Sequence, residues 1–387
     1  MPVTLPERPI FVTGSERSGT TLIMAILGMH PRLAVPEVTW YYPRFRPWLF
    51  TYGDITKLES FRTLVHEMAH GLRVPYWNME VNEDTFGDEI LDLSLKYEQS
   101  FAGAFAAMME RFAKHENKPR WGEKTPYNLF YIDQILEDFP NAQFVFIYRD
   151  GRDCTAEFMD SSFGPMNVYT NAELWHMGQQ AVKPAREKLN KDQWFDIKYE
   201  DFVRDPVSGL KDLCAFLGED YVDQLMDFHT TPIAKKRGAS KDNAPLGHPI
   251  SDKYIDRYKT ELSIRDQRIV SGVAGDSLRE LGYENILEPL ELTDEQVAFM
   301  EEMDGRYRAV NLEAPGGWIA FESYNDSLLD AREIRRQIGI WSDEPMPPTI
   351  FPIGTKFEET LSGMRAHRKW KDHFHIQRDT GDGKRIL

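Results

Sequence analysis

Gly14-Ser15-Glu16-Arg17-Ser18-Gly19-Thr20-Thr21 has the spacing of a phosphate-binding loop, G-x-x-x-x-G followed by hydroxyl residues. Its flanks fix its setting. Pro9–Thr13 (PIFVT) reads as a short buried strand ending at Gly14, and Thr20–Met29 (TTLIMAILGM) reads as a helix closed by His30-Pro31. A strand, a glycine loop and a helix start aim backbone N–H groups and a helix dipole at an anion. A nucleotide triphosphatase needs lysine after the second glycine to reach the β- and γ-phosphates. Thr20 stands there instead, and Arg17 is the loop's only cation. The loop is therefore built for a phosphate, but not for ATP and magnesium in the usual way.

The rest of the chain fits an α/β protein. Ile10–Thr13, Gln143–Tyr148 (QFVFIY) and Trp194–Tyr199 (WFDIKY) are apolar, β-branched and aromatic runs of the kind found in buried parallel strands. Helices are expected over Asp153–Asp160 and Val207–Leu217. The pattern predicts a three-layer, P-loop-like fold with a central parallel sheet. Residues 1–290 form the α/β domain, with a helical and aromatic insertion over 39–120 that includes helices near 59–72 and 88–115. The block Trp40–Phe50 (WYYPRFRPWLF) packs that insertion or lines an acceptor pocket. Residues 291–387 form a C-terminal extension packed on the same domain. Thr293-Asp294-Glu295-Gln296 resembles a capping box opening a helix to about 309, and another helix is expected over 329–338. Ser342–Pro352 reads as extended, and the basic, aromatic segment Met364–Arg378 as a solvated amphipathic tail or a dock for an anionic ligand or a partner subunit.

The chain has 387 residues, a net charge of −16 and a pI of about 5.2. That balance argues against nucleic acid, an anionic membrane or a polyanionic acceptor as the main partner. Two cysteines, Cys154 and Cys214, make no disulfide framework. The N-terminus carries no signal-peptide pattern, and no apolar run approaches the ~18–20 residues that cross a bilayer, so a cytoplasmic protein is expected.

Two chemistries compete. His66-Glu67-Met68-Ala69-His70 is H-E-x-x-H on a predicted helix, with Glu89 following at a spacing some zinc peptidases use for a third ligand. Gly71 would fray that helix, and no substrate-binding motif accompanies it. The other chemistry starts from the loop. Strand Gln143–Tyr148 ends in Arg149-Asp150-Gly151-Arg152-Asp153, where a Walker B strand would end in an acid. An arginine there suits a second phosphate, which it can bind bidentately. Lys235-Lys236-Arg237-Gly238 is a further basic cluster.

These segments together resemble the sulfotransferases that use 3′-phosphoadenosine-5′-phosphosulfate (PAPS), in the form of the tyrosylprotein sulfotransferases and related bacterial enzymes. Arg17-Ser18-Gly19-Thr20-Thr21 resembles their 5′-phosphosulfate loop. Tyr148-Arg149-Asp150-Gly151-Arg152 resembles their 3′-phosphate motif, and Trp121-Gly122-Glu123-Lys124-Thr125-Pro126 their Lys-x-Pro motif. Lys198-Tyr199-Glu200-Asp201-Phe202, Asp205-Pro206 and Phe216-Leu217-Gly218 resemble a later block, while Arg237-Gly238 and Lys253-Tyr254 resemble the last nucleotide-binding segment. The resemblance runs over about residues 8–285.

The resemblance implies in-line transfer of a sulfuryl group from PAPS to a hydroxyl or amine, with no obligatory metal. Arg17, Ser18, Gly19, Thr20 and Thr21 would hold the 5′-phosphosulfate. Lys124 and Arg17 would stabilise charge on the leaving phosphate. Arg149 would bind the 3′-phosphate, with Tyr199, Arg237, Gly238 and Lys253 completing the nucleotide site. Glu37 is the expected base, although the family pattern has two consecutive acids and Val38 takes the second place; His66 and His70 are the substitutes. The family has a serine eight residues after the 3′-phosphate arginine. Here that residue is Glu157, which is expected to point away from the phosphate and leave its role to Thr155, Ser161 or Ser162. The expected acceptor is a small or lipid-like molecule. A divergent P-loop kinase, a zinc hydrolase and an inactive nucleotide-binding module are the alternatives.

Overall fold

The computed structural model describes residues 2–71, 77, 79–161, 167–311 and 318–341. Five parallel strands form a sheet in the order β2-β3-β1-β4-β5: β1 Ile10–Thr13, β2 Leu33–Ala34, β3 Arg120–Lys124, β4 Gln143–Tyr148 and β5 Trp194–Lys198. β3 and β4 flank β1 on its two sides. The register places Val12 beside Lys124, Thr13 beside Phe146, and Tyr148 beside Lys198. The carboxyl ends of four neighbouring strands therefore meet along one edge. From that edge emerge the Gly14 loop, Lys124, Arg149 and Tyr199, where ligands of open α/β sheets bind.

Each strand alternates between two faces, and two cores result. Phe11, Trp121, Phe144 and Phe146 face the insertion and pack with Tyr42, Phe105 and Phe139. Ile10, Val12, Val145, Ile147 and Ile197 face the opposite layer. There they meet Ile23, Met24, Ile26 and Leu27 of helix Thr20–Leu27 and Leu210, Leu213 and Cys214 of helix Pro206–Leu217. This is the three-layer, P-loop-like architecture that the sequence predicts.

The expected helix over 88–115 is two helices, Glu83–Ser94 and Phe101–His115, because the Ser100 side chain accepts from the Gly103 N–H and starts a new helix. The helix expected from Asp153 begins at Gly151, capped by Asp150, which accepts from the Arg152 N–H at 2.9 Å. β5 stops at Lys198, and Tyr199 opens the helix Tyr199–Arg204. The aromatic block is mostly core: Tyr41, Tyr42, Phe45 and Trp48 are buried.

The extension contributes helices Asp294–Asn311 and Trp318–Gln337. The second clasps the insertion. Arg335 donates to the Thr51 carbonyl at 2.9 Å and pairs with Glu67 at 2.7 Å. Arg332 donates to the Arg44 carbonyl and lies over the Trp48 ring. The segments 342–352 and 364–378 lie outside the described residues.

Candidate active site

The loop is shaped by close approach. A Cβ on Gly14 would stand 2.2 Å from the Ile147 carbonyl oxygen. Gly19 has φ +110°, and a Cβ there would meet Ile147 and Tyr199 at 3.0 Å. Arg17 is left-handed as well, at φ +65°. The loop thus lies on β4 and enters helix Thr20–Leu27 through Gly19, an N-cap residue with no side chain to cap the first turn. Those N–H groups and the helix dipole are directed at an incoming anion. Ser18 is fully buried, and its Oγ has no hydrogen-bond partner among the described residues. Lys124, only 3% exposed, reaches the same helix start: its Nζ donates to Thr21 Oγ1 at 3.4 Å. A lysine of the neighbouring strand thus stands at the start of the helix that follows the loop.

The expected second anion site departs from the sequence reading first at Glu157. Glu157 does not point away. Its carboxylate lies between Arg17 and Arg149, at 2.5 Å from each, with Arg257 at 3.7 Å. Two arginines that are almost fully buried need a counter-charge, and the helix Gly151–Met159 supplies it. Burial would raise the Glu157 carboxyl, but Arg149 and Arg17 outweigh it and hold it below the ordinary carboxylate range. Arg149 also donates to the Arg17 carbonyl at 3.0 Å and the Tyr254 carbonyl at 2.6 Å, and its guanidinium lies 4.7 Å from the centre of the Tyr199 ring. Burial pushes the Tyr199 phenol up to about 12. Of the hydroxyls expected to replace the family serine, Ser161 donates to the Phe158 carbonyl, and Ser162 lies outside the described residues. Thr155 Oγ1 and Arg149 Nε are buried and without partners among the described residues.

Asp153 anchors the last segment. It accepts from the Asp256 and Tyr258 N–H groups, both at 2.9 Å, and so fixes the turn that brings Tyr254 and Arg257 to Arg149 and Glu157. Lys253 does not join them. It is exposed, with its ammonium over the Tyr254 ring. Arg237 and Glu37, expected as nucleotide ligand and base, pair with each other at 2.9 Å. Gly238 serves packing: a Cβ there would stand 2.5 Å from the Gly247 nitrogen.

Glu123 is absent from the sequence-based site and is central to its framework. It is fully buried, and accepts from Thr39 Oγ1 at 2.9 Å, Thr125 Oγ1 at 2.5 Å and Asn128 Nδ2. Burial raises its carboxyl; the Thr125 and Thr39 hydroxyls offset this only in part. Thr125 Oγ1 in turn accepts from the Thr39 and Trp40 N–H groups. The clamp holds Trp40 at φ +61°, with its ring 4.8 Å from that of Tyr127. Tyr127, Phe130 and Leu174 line a small apolar crevice that opens beside Gly14, Ser15 and Glu16.

The H-E-x-x-H segment does not assemble a zinc site. Glu67 bonds to Tyr52 and Arg335, and Glu89 pairs with Arg111 at 2.6 Å. His66 meets Asp88, while both nitrogens of His70 lie against backbone carbonyls, of His66 and Glu83. The residues that would ligate the metal are each committed elsewhere.

Residues 9–223 match the sulfotransferase family. The chain belongs to that family. A protein-tyrosine sulfotransferase of Drosophila melanogaster is 24% identical over 278 residues, covering 70% of this chain and 49% of the fly protein. Protein-tyrosine sulfotransferase 1 of Danio rerio is 24% identical over 291 residues, 71% of this chain and 72% of that one. The chain thus spans about half the length of the fly relative. Among solved structures, the sulfotransferase domain of the Synechococcus PCC 7002 olefin synthase aligns with a TM-score of 0.52 at 17% identity, covering 73% of this chain and 97% of that domain. The sulfotransferase domain of the curacin biosynthetic pathway aligns at 0.50 and 20%, covering 73% and 99%. Both share the fold.

Proposed function

We propose that the chain transfers a sulfuryl group from a nucleotide 5′-phosphosulfate to an acceptor hydroxyl or amine, PAPS being the donor that the family resemblance implies. One observation carries this reading: Lys124 is delivered from β3 to the helix start at Thr21, beside a loop whose Ser18 hydroxyl has no partner among the described residues. These groups fit a phosphate ester that becomes more negative as it leaves. The S–O bond to the donor phosphate breaks as the bond to the acceptor oxygen or nitrogen forms, and the acceptor's proton passes to a base. The chain's part is to orient both partners and neutralise the leaving oxygen. The loop N–H groups and Arg17 hold the phosphosulfate, and Lys124 meets the bridging oxygen. Glu37 is the proposed base; freeing it requires Arg237 to swing aside or to share it.

The acceptor proposed is a small or lipid-like molecule entering by the crevice at Tyr127, Phe130 and Leu174. The relatives named as protein-tyrosine sulfotransferases make a tyrosine-bearing polypeptide the second acceptor class. A cytoplasmic location belongs to the same proposal.

Thermal melting with 3′-phosphoadenosine-5′-phosphate (PAP), 5′-AMP, ATP–magnesium and zinc in parallel tests the donor. An adenosine 5′-phosphate should raise the melting temperature without metal. A shift with ATP–magnesium alone would favour a kinase and defeat the proposal. Sulfuryl transfer to a panel of phenols, alcohols and tyrosine peptides then separates an enzyme from an inactive binding module.

A further inference from the structure

Glu157 occupies the place that the family resemblance gives to the ligand of the donor's 3′-phosphate. We propose that Glu157 makes this half of the site a receptor for an unphosphorylated ribose, so that the chain prefers a nucleoside 5′-phosphosulfate with a free 3′-hydroxyl, of the adenosine 5′-phosphosulfate class, over PAPS. The inference rests on the reading that the Gly14–Thr21 loop binds a 5′-phosphosulfate.

Charge is the first argument. Arg17, Arg149 and Arg257 converge on Glu157, and Asp153 lies 3.9 Å from Arg149. Arg257 is paired more closely with Glu261, at 2.7 Å, so three cations face three carboxylates and no net positive charge is left for a phosphate dianion. A serine in place of Glu157 would leave one positive charge there. Phosphate and carboxylate in one buried site repel each other.

Hydrogen bonding is the second. Arg17 and Arg149 spend N–H groups on Glu157 and on the Arg17, Tyr254 and Asp242 carbonyls, and Arg257 gives its Nε–H to Glu261 at 2.7 Å. Arg149 Nε and Thr155 Oγ1 are the buried polar atoms of Arg149 and its following helix without partners among the described residues. One donor and one hydroxyl suit a sugar hydroxyl. A carboxylate that accepts from a ribose hydroxyl, where a phosphate-binding site would rely on arginine, is how dinucleotide folds separate NAD from NADP. Glu157 is not free to yield, because its side chain is 13% exposed and both arginines hold it ionised.

Isothermal titration of the full chain with 5′-AMP and with PAP tests the proposal. The wild type should bind 5′-AMP at least as tightly as PAP. Glu157→Ser and the shape-preserving Glu157→Gln should each tighten PAP about tenfold or more, equal to about 1.4 kcal/mol, and leave 5′-AMP within about threefold. The Gln variant keeps the test valid if the Ser variant melts early. A wild type that prefers PAP, or variants that leave the PAP-to-AMP ratio unchanged, would overturn the inference while leaving the donor reading intact. Binding of neither nucleotide would remove the donor reading itself, and this inference with it.

Discussion

Replacing Asp153 by Asn tests how the last segment is pinned to the site. Asp153 is buried, and burial pushes its carboxyl up to about 6, against the pull of Arg149 and of the Tyr258 and Asp256 N–H groups. An unfolded Asp titrates near ~3.9. Between these values the native chain holds a proton that the unfolded chain has released. The folded state is therefore favoured below about pH 4 and loses stability as pH rises through about 6. A difference of about 2 units corresponds to about 3 kcal/mol. Asp153→Asn carries no titrating proton, so the stability of wild type minus variant should fall by about 3 kcal/mol between pH 4 and pH 7. At every pH the variant also turns an amide toward one of the two N–H groups, at a cost of about 1–3 kcal/mol. Wild type should therefore lead by about 1–3 kcal/mol at pH 4 and be level with the variant or behind it at pH 7. Urea unfolding followed by tryptophan fluorescence, at one-unit pH steps, reads the difference. A difference that is constant, or that grows with pH, would refute the reasoning; Asp153 would then be an ionised partner of Arg149 throughout.

Other outcomes follow from the same geometry. Gly19→Ala, at φ +110° and 3.0 Å from Ile147 and Tyr199, should cost about 1–3 kcal/mol and weaken adenosine 5′-phosphate binding, as read by melting with and without ligand. Lys124→Met should lower kcat for sulfuryl transfer about 10²–10³-fold, with less than about tenfold change in Kd for the desulfated nucleotide; equal losses in both would show a binding role only. Arg335→Met should lower stability by about 1.5–3 kcal/mol by stripping the Thr51 carbonyl and Glu67 of their donor, seen as a lower Tm. His66→Ala should leave the zinc content and the adenosine 5′-phosphate affinity as they were, measured by metal analysis and titration.

The sequence revealed most where local pattern and tertiary role coincide. β1 and β4 are uninterrupted apolar runs between two covering layers, so their bounds and the loops leaving them could be read directly. β2 is only two residues long, too short to show a period. β3, Arg-Trp-Gly-Glu-Lys, hides three buried charged residues that look like surface. Arg120 is made tolerable by Glu219 at 3.0 Å and the Arg8 and Leu217 carbonyls, partners far along the chain. Glu123 takes two local partners, Thr125 and Asn128, and only Thr39 from far along the chain, so nothing in its spacing marks it as buried. Helix Val168–Lys188 holds an internal Pro184, which reads as a breaker. Glu157 was visible as an anomaly by residue type. Its direction was not, because that depends on Arg17, which no spacing rule connects to it. Arg237, in a basic cluster, and Lys253, named by the resemblance alone, are expected as ligands, yet one pairs with Glu37 and the other lies over an adjacent ring.

Tyr199 stands between the two halves of the proposed donor site. One part of its ring limits Gly19, and its face carries Arg149, while Arg149 holds the carbonyl of Arg17. The halves therefore share a wall and a hydrogen bond. Ordering either one pre-arranges the other, so two separate fragments, a phosphosulfate mimic and a ribose mimic, should bind with positive cooperativity. A molecule that joins the two would then gain from preorganisation as well as from contact, and the Tyr199 ring is the natural place to measure that coupling.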